Sequence, residues 1–100
     1  MKAMLLAAAL MSLSDAAIAA CREDLVATAQ NVERTRAQVK ASEGQAVAQC
    51  PAYRQHIAAL SGVKGVFARC DTGGNKGKNA EQVTTTIAAL TRQMRASCKN

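Results

Sequence analysis

CPAYRQHIAALSGVKGVFARC, from Cys50 to Cys70, is the stretch on which the fold turns. It contains two of the four cysteines, both aromatics (Tyr53 and Phe67), the only proline (Pro51) and the only histidine (His56). Tyr53, Ile57, Leu60 and Phe67 recur at helical spacing, with Val63 and Val66 on the flanks of the same face. Pro51 disfavours helical geometry at Cys50 and suits the first position of a helix, so the spacing predicts a helix over about residues 51–70. Gly62 and Gly65 are its weak point, each costing up to about 1 kcal/mol relative to alanine. They either admit a close neighbour or mark a kink, and the continuous apolar face favours a single helix.

Upstream, residues 22–43 contain strong helix formers and no proline, with Leu25, Val32 and Val39 repeating every seven positions. Ala29, Thr28 and Thr35 fill the half-turns, while Glu33, Arg34, Gln38 and Lys40 fall mostly outside this narrow stripe. Glu23 and Asp24 at the start and Lys40 at the end suit the helix dipole. Gly44 can take the left-handed conformation that closes such a helix. Downstream, Asp71–Lys78 (DTGGNKGK) is a loop with three glycines. Asn79 followed by Gln82 has the spacing of a capping box, and Val83, Ile87, Leu90 and Met94 form an apolar stripe, predicting a third helix over about 79–98. The run Thr84-Thr85-Thr86 has β-branched character, but its flanks are helical.

These elements predict an all-α fold, a small antiparallel three-helix bundle with an up-down-up course. Helices of about twenty residues are ~30 Å long, and a disulfide needs Cα atoms within about 7 Å. Cys21 and Cys70 then lie at one end of the bundle, and Cys50 and Cys98 at the other. The expected bridges are Cys21–Cys70 and Cys50–Cys98, each worth roughly 4 kcal/mol in the chain-entropy model. A single domain over residues 20–100 has a modest core, so such staples matter.

Residues 1–19 read as a cleaved signal peptide: Lys2, an apolar run from Ala3 to Leu13, then a small-residue tail ending at Ala17-Ile18-Ala19. The run is about half of what a bilayer crossing requires. Ile18-Ala19-Ala20-Cys21 also resembles the lipobox of bacterial lipoproteins, which makes an outer-membrane lipoprotein anchored at Cys21 the minority alternative. Acylation there would leave three cysteines unpaired as a set, whereas a free Cys21 gives two bridges and a periplasmic or secreted protein.

The chain has formal net charge +6, with charges mixed along its length and no long basic block, a balance that serves solubility as well as acidic partners. Cysteine spacing gives no Cys-x-x-Cys, and one histidine is present, so zinc and thioredoxin-type signatures are absent and no metal or cofactor is expected. The loop before Lys78 departs from a phosphate-binding P-loop: Thr72 stands where glycine is required, Asn79 where serine or threonine is required, and no strand precedes it. What remains is an anion-binding candidate set of Lys76, Lys78, Arg92, Arg95 and Lys99. No serine, cysteine or lysine has the company of a base, Glu23 and Asp24 point to different sides of their helix, and His56 reads as a boundary residue. Specific nucleic-acid binding is not expected without exposed aromatics. The expectation is a non-enzymatic protein-binding or accessory factor of the bacterial envelope, its partner another envelope or secreted protein. The alternative is a basic protein that associates with anionic lipid or polyanion through the 76–78 loop and the end of the third helix.

Overall fold

The computed structural model describes residues 2–71, 74 and 77–98, with side chains from residue 18 onward. Three α-helices follow in order, α1 (Lys2–Ala41), α2 (Ala46–Cys70) and α3 (Lys78–Ser97), and no strand occurs among the described residues.

Three boundaries differ from the expectation. α1 starts at Lys2 and not near residue 22, because the stretch before residue 22 is rich in alanine, leucine and methionine, lacks glycine and proline, and propagates helix without interruption. α2 starts at Ala46 and not at Pro51. The Gln45 carbonyl accepts from the backbone N–H groups of Ala48 and Gln49 at 3.0 and 2.9 Å, which closes a turn ahead of the proline. Pro51 leaves the Val47 carbonyl without its intrahelical donor, and Val47 is 92% exposed, so the interruption falls at the solvent surface. At α3 the cap is Gly77, with φ +86°, and not Asn79. Asn79 instead donates from Nδ2 to Asp71 Oδ2 at 3.1 Å, tying the start of α3 to the end of α2.

Other features agree with the expectation. Gly44, at φ +80°, carries the turn after α1. α2 runs unbroken through Gly62 and Gly65. A Cβ on Gly62 would meet Thr28 Cγ2 at 3.9 Å, an ordinary contact, and one on Gly65 would meet nothing, so neither glycine is required for close packing.

The bridges are Cys21–Cys70 and Cys50–Cys98, with Cα separations of 5.8 and 5.1 Å, and they fix α2 antiparallel to both neighbours. α2 is the central element: α1 and α3 each pack on it and barely meet one another. One small core joins Val32 of α1 to Ala59 and Leu60 of α2, with Val63, Val83, Ile87 and Leu90 packed against it. No residue of α3 is fully buried, so its apolar stripe is only half covered. The accessible surface is 7348 Å², against roughly 5,400 Å² expected for a compact monomer of this mass. Two features account for the excess: the open side-by-side layout, and the first half of α1, which runs past the level where α2 ends at Cys70 and gives the molecule its 68 Å length. Among the described residues no helix is long and apolar enough to cross a membrane.

Candidate functional site

Because α3 does not close over α1, Leu25, Val63 and Phe67, which a three-way core would bury, remain half-buried beside the core residues Val32 and Leu60. Leu25, Ala29 and Val32 on α1 and Leu60, Val63 and Phe67 on α2 line a groove of about 420 Å³, with Glu33 at its edge. A second hollow of about 540 Å³, which shares Leu25 with the first, lies beside the Cys21–Cys70 bridge, where Ile18 is 58% exposed and Arg22, Arg69 and Asp71 form the polar rim. Both hollows fall in the volume range of ligand and peptide sites. The heptad residues that form the α1 wall were expected to be core, and nothing in their spacing says that one flank stays open.

The rim is electrically mixed. Arg69 Nη2 donates to Asp24 Oδ2 at 2.8 Å across the two helices, and Arg36 pairs with Glu33 at 3.0 Å within α1, all four side chains being largely exposed. At the opposite end of the α1–α2 hairpin a shallow depression of about 430 Å³ is lined by uncharged residues, among them Gln38, Ala41, Ala48 and Pro51.

Of the anion-binding candidates, three are described, all on α3. Lys78 is the first residue of α3, and Arg92 and Arg95 lie in its last two turns, all exposed. Lys78 and Arg92 are therefore about 21 Å apart along the axis at 1.5 Å per residue. Lys76 and Lys99 lie outside the described residues.

All four cysteines are bridged, which points to a non-reducing compartment. The Cys21–Cys70 bond uses the sulfur that a lipobox acylation would need, so the folded, bridged form excludes a lipid at Cys21. Among the described residues no group of three His, Cys, Asp or Glu side chains is placed to hold a metal ion.

His56, expected at the border of the apolar face, is 7% exposed and shares a 2.8 Å hydrogen bond between its Nδ1 and the Oγ1 of Thr35, which is 2% exposed. Burial, helped by the nearby Arg36 guanidinium and opposed by Glu33, holds the imidazole below its ordinary value of 6.5. This cross-helix pair was not foreseen; the one available signal was a polar threonine in register with the heptad stripe, which a solvent-facing rotation would explain equally well.

Compared with protein-family models, with curated proteins and with solved structures, the chain has no significant match.

Proposed function

We propose that this chain is an exported, non-enzymatic binding or accessory factor of the bacterial envelope that presents its α1–α2 groove to another envelope or secreted protein. The observation that carries this reading is the apolar groove from Leu25 to Phe67, which lies wholly within residues 20–100 and is left uncovered by α3. Apolar surface gathered in a concavity with a polar rim is the usual form of a protein-docking site. Export is supported by the order of charge, apolar run and small residues over residues 1–19 and by two structural disulfides.

The test is site-specific photocrosslinking in the expressing cell, with a photoreactive residue replacing Ala29 in the groove or Thr85 on the exposed side of α3. A discrete adduct from position 29 that is absent from position 85 and lost in a Leu25→Asp background is the expected result. Equal or absent crosslinking at both positions overturns the groove as the contact surface. Binding to anionic vesicles that weakens with salt and disappears in the Arg92→Ala, Arg95→Ala double variant would instead favour the second reading, electrostatic association with anionic lipid or polyanion. That reading has the weaker support, since of the cations it needs the described ones stand at opposite ends of α3, Lys78 at its start and Arg92 and Arg95 near its end.

A further inference from the structure

Midway along the α1–α2 contact, the Thr35–His56 pair is, among the described residues, the buried side-chain hydrogen bond between the two helices, the Asp24–Arg69 pair being exposed. We propose that this pair is an acid-sensitive latch: on acidification α1 and α2 part at mid-length, while the Cys21–Cys70 bridge and the 42–45 turn hold the two ends of the hairpin, and the groove widens.

The geometry suits a neutral imidazole. Thr35 Oγ1 lies 3.1 and 3.0 Å from the carbonyl oxygens of Asn31 and Val32, so its hydroxyl can donate within α1 and accept from Nδ1, or donate to Nδ1 directly. Either arrangement satisfies the uncharged ring, whereas an imidazolium, which donates from both nitrogens, is left with the first alone. An imidazolium adds a full charge to a site whose neighbours along the same α2 face are Ala52, Ala59 and Leu60. Little is available to offset it. From α1 the charged groups acting on the ring are Arg36, which opposes protonation, and Glu33, which favours it, and these two are already paired with each other at the surface. On α2 itself Arg54 and Lys64 are exposed and Tyr53 is half-buried, and the charged residues of α3 (Lys78, Glu81, Arg92 and Arg95) are all exposed.

The ring is nevertheless reachable. Its hydrogen bond is at Nδ1, and among the described residues no fully enclosed side-chain nitrogen or oxygen lacks a partner, so Nε2 keeps a path to water. The consequence for the groove follows from position. Val32 is one turn before Thr35, Leu60 is one turn after His56, and both line the groove. The latch therefore stands on the helix contact itself and not on the binding role proposed above.

The sign of the effect is fixed by linkage. A histidine held below 6.5 in the folded chain supports the closed state fully above the unfolded value, and this support is lost as pH falls from 6.5 through the depressed folded value. The experiment is amide hydrogen exchange of the oxidised protein between about pH 7.5 and 5, corrected for the intrinsic pH dependence, alongside the NMR titration of the His56 ring. Expected is a loss of protection in residues 28–36 and 55–63 that follows the ring titration and spares residues 85–95, and its absence in His56→Gln. Protection that persists while the ring titrates, or the same loss in His56→Gln, overturns the latch. Should His56→Gln fail to fold, the wild-type co-titration of ring and amides decides alone.

Discussion

Thr35 and Asp24 both bond across to α2, and their environments set very different values on those bonds. The Asp24–Arg69 pair is short, at 2.8 Å, but its side chains are 49% and 62% exposed, so water and salt screen it to about 0–1 kcal/mol. Thr35→Val leaves His56 Nδ1 buried without its partner, a loss of about 1–3 kcal/mol. Urea unfolding at neutral pH should therefore rank Thr35→Val as clearly more destabilising than Arg69→Ala. The double replacement Thr35→Val, His56→Leu removes both polar ends, should recover much of the single-variant loss, and should flatten the fall in stability below 6.5. Little of this pair was legible in the chain. A lone histidine at the edge of an apolar stripe fits a solvated rim as well as a buried bond, and the choice depends on how far α1 is rotated about its own axis, which a seven-residue repeat of Leu25, Val32 and Val39 constrains only coarsely.

Helix formation follows local chemistry more directly. The two glycines with positive φ and those inside α2 are opposite cases. Gly44 sits at φ +80°, where an added Cβ is strained whatever the surrounding space, so Gly44→Ala should destabilise by about 1–2 kcal/mol. Gly62 has ordinary helical geometry and 3.9 Å to its nearest neighbour, so Gly62→Ala should stabilise by about 0.5–1 kcal/mol. Paired thermal melts of the two variants check both signs. The apolar spacing located all three helices, and the errors lay at their starts, where rules compete. Pro51 has the chemistry of a first residue, yet the turn closed by the Gln45 carbonyl precedes it. Asn79 has the chemistry of a cap, yet Asp71 engages its amide. The alanine- and leucine-rich stretch over residues 2–19 carries no helix-breaking residue, so α1 passes through it.

For the molecule as a whole, covalent bonds stand in for a deep core. Among the described residues only Val32, Ala52, Ala59, Leu60 and Val66 are buried apolar residues, while the two bridges span 49 and 48 residues and contribute roughly 4 kcal/mol each. Their sum is comparable to the whole stability of an ordinary small domain. Reduction should accordingly abolish cooperative thermal unfolding followed by circular dichroism, and removing either bridge as a Cys-to-Ser pair should lower the midpoint without necessarily abolishing the fold. The bridge pairing was legible because rigid rods of similar length joined by short turns leave few cysteines within reach of each other. The groove was not, because amphipathic stripes specify which faces seek cover and not whether α1 and α3 meet over α2. The interleaving of the two bridges has one more consequence. Every peptide bond between Cys21 and Cys98 lies inside at least one of the two covalent loops. A protease that nicks either turn, or α2 itself, therefore releases no fragment: the severed pieces stay tethered, and the molecule survives a single cut anywhere along that span as one covalent object.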